Sequence, residues 1–305
     1  MISYKNKYFK YKNKYLNLKQ QIGGELYTDL TYLGQGAESF VYSKDNDEVL
    51  KIIKVAEKFI PDNEIALSNK LRDNNLDNFM YYISIGRCKS NVIPNELTTN
   101  FCASDSVGPH TYQYIIMKKA KGVNLLKKFY MIFNDYLKEE KAIFTDESRT
   151  RLTEEITAEI NNYIINYLII LKNLALNLKL ANEKIKFRHN DLDYRNFTVD
   201  EENNVYIYDF GSSKVDVEDN YACMDFRSAF KSSLDDGYLK SKTVLEAEYT
   251  VLSDDQKNTI KNNGRVIFNK IKENGIISRL ETMANSCNRF MGTFVSFDEI
   301  IKVLN

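Results

Sequence analysis

The sequence predicts an α+β chain in two lobes, a small β-rich front and a larger helical back with a cleft between them. Three observations carry that expectation. Between Glu25 and about Lys121, short apolar, β-branched or aromatic runs alternate with turn residues. From about Thr153 to Asn182 an apolar-periodic stretch runs without Gly or Pro, the pattern of one long helix. The 305 residues, 43% hydrophobic and 12% aromatic, supply enough material for a buried core in one large domain or two modest lobes.

Composition narrows the function classes. Lys+Arg 42 against Asp+Glu 42 gives a formal net charge of zero, so a general polyanion binder is not expected and there is no strong nucleic-acid signal. No uninterrupted apolar run approaches the roughly 18 residues a transmembrane helix needs. The start, MISYKNKYFKYKNKYL, lacks the apolar core of a secretory signal. Cys88, Cys102, Cys223 and Cys287 are scattered with no C-x-x-C pair, so neither a disulfide framework nor structural zinc is expected, and a reducing, cytoplasmic compartment fits. His110 and His189 are the two histidines, which excludes a site built from several of them.

Taken in order, residues 1–24 come first, with Lys5, Lys7, Lys10, Lys12, Lys14 and Lys19 and no acid before Glu25. Tyr4, Tyr8, Tyr11, Tyr15 and Leu18 form the seam of an amphipathic helix, which Gly23-Gly24 stops. That helix either packs on the neighbouring lobe or docks a partner, a virion component or an anionic surface. Residues 25–121 form the β-rich lobe, with strands in LTYLGQG, SFVYSK and EVLKIIKV. Pro61-Asp62-Asn63-Glu64 then opens a helix, with Ile65, Leu67, Leu71 and Leu76 as candidate buried positions. YYISIGRC and TYQYIIMKKA supply a further strand pair. Residues 122–305 form the helical lobe, whose last part, from Ser253-Asp254-Asp255-Gln256 onward, reads as two or three helices.

The strongest chemical signal is Arg188-His189-Asn190-Asp191-Leu192-Asp193-Tyr194-Arg195-Asn196, followed by FTVDEENNVYIYDFG. Two strands flank a polar turn, Asp200 to Asn204, and the second ends at Asp209-Phe210-Gly211. Five residues separate Asp191 from Asn196 and thirteen separate Asn196 from Asp209, which hangs three oxygen-bearing side chains around the mouth of one hairpin. Asn196 and Asp209 suit Mg²⁺, a hard cation that takes oxygen ligands and substrate phosphates. Asp191 could then accept or orient the proton of an attacking hydroxyl.

This H-x-D-x-x-x-x-N motif, followed by D-F-G just after a long helix, resembles the protein-kinase-like superfamily. The resemblance covers roughly residues 30 to 230 and implies an Mg-ATP-dependent phosphotransferase, most readily an atypical serine/threonine protein kinase. Leu33-Gly34-Gln35-Gly36-Ala37-Glu38-Ser39-Phe40-Val41 looks like the loop that covers ATP phosphates, where glycine lets the backbone approach the anion. Ser39 takes the place of its third glycine. Lys51, in Val49-Leu50-Lys51, sits where the phosphate-binding lysine belongs, and Lys54 points to the opposite face of an alternating strand. Glu64 would hold that lysine; the plainer reading is an acid suited to the start of a helix. Ile116-Met117-Lys118-Lys119-Ala120 would be the hinge, meeting adenine through its backbone, with Met117 behind it.

Departures from the family pattern bear on function. Asn190 stands where regulated kinases carry the arginine that reads an activation-loop phosphate, no A-P-E follows Gly211, and the segment before MDFRSAF is short. Constitutive activity or control by a partner is therefore expected. Asp193 reverses the charge of the usual lysine, and Arg195 either supplies the missing positive charge or packs the loop. Gly36-Ala37-Glu38-Ser39 and Asp209-Phe210-Gly211-Ser212-Ser213 resemble the small kinase of the tRNA-modification KEOPS complex. His189-Asn190-Asp191-Leu192 resembles choline/ethanolamine and aminoglycoside kinases, which phosphorylate small hydroxylated molecules. A pseudokinase that binds a partner without transferring phosphate is the third reading. The Lys/Tyr-rich start ending in Ile22-Gly23-Gly24 resembles the N-termini of giant-virus (mimivirus-like) proteins, which would place the chain in host cytoplasm or virion.

Overall fold

A computed structural model describes residues 30–35, 39–44, 47–53, 62–90, 94, 110–125, 146–216, 223–236, 269, 271–287 and 295–305. The basic N-terminal segment 1–24, Gly36, Lys54 and the capping-box sequence at Ser253 lie outside these residues. The chain divides into two compact units. One comprises residues up to Asn69 together with Met80–Ala120; the other comprises Lys70–Phe79 and Lys121–Asn305.

The first unit is an antiparallel sheet. Strands β1 (Thr31–Gln35), β2 (Ser39–Ser43), β3 (Glu48–Ile53), β4 (Tyr82–Ser90) and β5 (His110–Lys118) lie in the order β1-β2-β3-β5-β4. Alternation decides which side chains meet. Leu50 and Ile52 of β3 join Tyr42, Tyr112, Tyr114, Ile116 and Cys88 in a buried cluster. Lys51, one residue out of phase, pairs with Val41 and Ile115 and therefore shares the opposite face. Gly86 is required by packing, because a Cβ there would come within 2.3 Å of the Tyr114 ring. Helix α1 (Asp62–Asp73) is tied to β4 where the Tyr82 amide donates to buried Ser68 Oγ at 2.5 Å. Leu67 is buried as expected and Ile65 is half-buried; Leu71 and Leu76, also buried as expected, belong to the second unit.

The second unit is mainly helical. Helix α2 (Asp146–Ile185) is longer at both ends than its apolar period suggests. Short strands β6 (Val123–Asn124), β7 (Phe197–Val199) and β8 (Val205–Ile207) form a small antiparallel sheet. Gly122, at φ +78°, lets the chain cross β7 so closely that a Cβ would lie 2.1 Å from the Val199 carbonyl oxygen. Helix α3 (Cys223–Lys231), a π-turn at Ser232–Asp236, α4 (Gly275–Ser286) and α5 (Phe297–Leu304) complete the described elements. By length and composition Asn161–Ile185 of α2 would suffice to cross a membrane. Its polar side chains are nevertheless spent inside the unit: Asn173 and Asn177 donate to the Asn203 and Val205 carbonyls, and Lys179 meets Asp298 of α5 at 2.6 Å.

The cysteines correct the expectation that they are unpaired. Cys223, at the start of α3, is disulfide-bonded to Cys287, just past α4, across 64 residues of sequence. Cys88 is disulfide-bonded as well. Motif spacing missed the first pair because the two cysteines meet only once α3 and α4 pack together. The ground for expecting a reducing compartment falls with it.

Candidate functional site

Strands β7 and β8 pair Phe197 with Ile207, and the Tyr208 amide donates to the Asn196 carbonyl at 3.0 Å. The ladder thus continues one pair past the strands, leaving Asn196 and Asp209 at the open end of the hairpin. Asp191 joins them, because Asn196 Nδ2 donates to its carbonyl at 2.7 Å. Asn196 is buried, while the Asp191 and Asp209 carboxylates are exposed. The chain at Asp191, Asn196 and Asp209 thus meets at the open end of this hairpin.

Two of the backbone conformations here are unusual. Asn190 and Asp209 have φ of +62° and +67°, the left-handed region that costs non-glycine residues energy and in which Asn and Asp are the best tolerated. Hydrogen bonds hold the loop there. Asp225, buried in the first turn of α3, accepts the His189 amide on Oδ2 at 2.7 Å and the Asn190 amide on Oδ1 at 2.8 Å. Asn190 Nδ2 donates to the Ser212 carbonyl at 3.0 Å, and Ser213 Oγ donates to the His189 carbonyl at 3.2 Å. His189 Nε2 lies 3.0 Å from the Tyr208 carbonyl, which can only accept, so that nitrogen carries the proton. Phe210 is buried against Phe79, Phe187 and His189. Asp225 is the residue that motif reading missed: an acid in the first turn of MDFRSAF signals a helix start, and its partners lie 35 and 36 residues earlier.

The charges around the hairpin end are unevenly compensated. The Arg195 guanidinium forks onto Asp193, with Nε 2.8 Å from Oδ2 and 3.1 Å from Oδ1, and this hydrogen bonding raises its pKa further. The reversed charge at Asp193 is thus met within its own loop. Burial, followed by the charges of Asp209 and Asp193, pushes the Tyr208 hydroxyl up to about 12. Negative potential at this end favours a cation. Among the described residues no three His, Cys, Asp or Glu side chains gather as a metal cage. Mg²⁺ held jointly with substrate phosphates needs only one or two protein oxygens, and Asp209 with the Asn196 amide oxygen fits that requirement.

The remaining predicted site residues belong to the first unit. Gly34 lies on β1 at an irregularity in its pairing with β2, and a Cβ there would meet nothing within 4 Å. Lys51 is on β3, and Glu64, near the start of α1, accepts a hydrogen bond from the Tyr82 hydroxyl. Met117 is buried on β5, paired with Val49 and Tyr82. The Lys119 amide is donated to the Asp47 carbonyl at 2.7 Å and its ammonium to Ser43 Oγ at 3.0 Å.

No protein-family model matches the chain, and no curated protein matches its sequence.

Proposed function

We propose that this chain is an Mg-ATP-dependent phosphotransferase of protein-kinase-like, two-lobed fold, acting as an atypical serine/threonine kinase on a hydroxyl acceptor. The observation that carries the reading is the gathering of Asp191, Asn196 and Asp209 at one hairpin end, with the backbone at His189 and Asn190 clamped by Asp225. In this reading Asp209 and the Asn196 amide oxygen hold Mg²⁺, which would supply charge neutralisation for the phosphates. Asp191 orients the acceptor hydroxyl and takes its proton. Arg195 keeps Asp193 from repelling the incoming phosphates. Lys51, positioned by Glu64, takes the α- and β-phosphates of ATP, and adenine lies against the chain around Met117 and Lys119. Gly34 and Gly36 are assigned to cover the phosphates, because glycine lets the backbone approach the anion closely.

The test is turnover of γ-labelled ATP with Mg²⁺ by wild type, Asp209→Asn and Lys51→Ala. Each variant is expected to lose at least about a hundredfold in rate while its thermal unfolding stays close to wild type. Undiminished turnover in both would overturn the reading, and ATP binding without any turnover would leave a binding module.

A further inference from the structure

An open recess of about 450 Å³ lies in the second unit beside Asp191, walled by the 190–193 loop on one side and by α3 with the π-turn after it on the other. The loop contributes Asn190, Asp191 and Asp193; the helical wall contributes Arg227, Ser228, Lys231 and Ser232. Its charges are not equivalent. Asp193 is already satisfied by Arg195, which leaves Asp191 as the carboxylate facing the recess without a cation bonded to it among the described residues. Arg227 and Lys231 are one helical turn apart and so share a face of α3. Arg227 is fixed by its own bond, Nη1 to the Cys287 carbonyl at 3.0 Å, which still leaves guanidinium N–H groups to donate. That carbonyl belongs to the cysteine bonded to Cys223, four residues before Arg227, so the disulfide and the guanidinium dock the same stripe of α3 on one residue. Lys231 is half-buried, and its ammonium makes no hydrogen bond or ion pair with any other described residue.

We infer that this recess is the acceptor site and that it selects hydroxyl compounds bearing an anionic group, carboxylate or phosphate. The inference rests on the phosphotransferase reading. The acceptor hydroxyl gives its proton to the Asp191 carboxylate as its oxygen bonds to the γ-phosphorus of ATP, and ADP leaves with the electrons of the broken P–O bond. The anionic group lies against Lys231 and the remaining Arg227 donors, with Ser228 and Ser232 as neutral partners. A cationic amino alcohol would meet two like charges there, so a small-molecule acceptor at this recess is an acid. The shared chemistry fits either a serine flanked by acidic residues or a free anionic alcohol.

The experiment measures phosphate transfer from labelled ATP to four acceptors: a serine peptide flanked by glutamates, the same peptide flanked by lysines, glycerol 3-phosphate, and choline. Wild type, Lys231→Gln and Lys231→Arg are compared. In parallel, fluorescence anisotropy follows the labelled acidic peptide without ATP, with glycerol 3-phosphate as competitor. Transfer should favour an acidic acceptor. Lys231→Gln should raise its KM and weaken its binding about tenfold with little change in kcat, the loss expected for one charged hydrogen bond, and Lys231→Arg should restore both. Which of the two acidic acceptors is labelled tells a peptide source from a free metabolite. Preference for the basic peptide or choline, or indifference to Lys231→Gln, overturns the inference while leaving phosphotransfer standing. Acidic-peptide binding that depends on Lys231, with no transfer to any acceptor, upholds the anionic recess and overturns the phosphotransferase reading. Neither binding nor turnover overturns both.

Discussion

At Asp225 a single buried carboxylate fixes the backbone of the proposed catalytic loop. Burial pushes its pKa up, against the opposing pull of His189, the two amides it accepts and Arg188. Removing the acceptor would leave the amides of His189 and Asn190 facing an apolar gap. Asp225→Ala is therefore expected to cost about 2–4 kcal/mol in urea unfolding, because each stranded donor carries most of its desolvation penalty. Asp225→Asn, which retains one acceptor oxygen and places an NH₂ against the second amide, should fall between alanine and wild type. A loss below about 0.5 kcal/mol for alanine, the size of an ordinary surface change, would show that Asp225 does not hold the loop. Asp191, Asn196 and Asp209 are legible in sequence because their geometry is set locally, by a short loop and one hairpin. Asp225, Arg227 and Lys231 are not, since they reach the same place from a helix whose register against the loop depends on packing.

The hairpin between β7 and β8 shows what an element requires of its turn. Asp200 accepts the amides of Glu202 and Asn204, the side-chain amide of Asn204 and the Tyr206 hydroxyl, while Asn203 takes φ +65°. Partial burial works against the ionised carboxylate, yet these hydrogen bonds outweigh it and hold the Asp200 pKa below its usual 3.8. A depressed folded pKa means that the group stabilises above the unfolded value and that this contribution disappears as pH falls through the folded one. Asp225, shifted the other way, binds its proton more tightly when folded and cannot add to acid lability. Wild type should therefore lose Tm more steeply than Asp200→Asn as pH is lowered from about 5 to about 3. Parallel curves would show that the turn does not depend on the charge. The sequence marks this turn clearly, since Asp200 to Asn204 is polar between two apolar runs. Helix α2 is marked just as clearly by its period, but its first turns are not, because the apolar stripe starts only inside the helix. Helix α5 carries an intact capping box, Ser296 with Glu299, of the kind that the sequence shows at Ser253.

For the whole chain, the α+β order of elements follows from the pattern of periods, but the division into units does not follow the order of the chain. Lys70–Phe79 belongs with the helical unit because Phe79 packs against Phe187 and Phe210 and bridges to Ile207, contacts more than a hundred residues away in sequence. The disulfide between Cys223 and Cys287 is a second link of that kind. It closes a 64-residue stretch and joins the helix that carries Asp225 to the end of α4. Such a crosslink removes conformational freedom from the unfolded chain and is typically worth about 2–4 kcal/mol. The Cys223→Ser/Cys287→Ser double variant should therefore unfold at lower urea concentration than the oxidised wild type by about that free energy, with a steeper dependence on denaturant because its unfolded state is less confined. Dithiothreitol should bring wild type towards the variant and leave the variant's own response to the Cys88 bond as the internal control. Equal midpoints for oxidised wild type and variant would mean that α3 and α4 are held by packing alone. The clamp on the 188–191 loop would then owe nothing to the oxidation state of the chain.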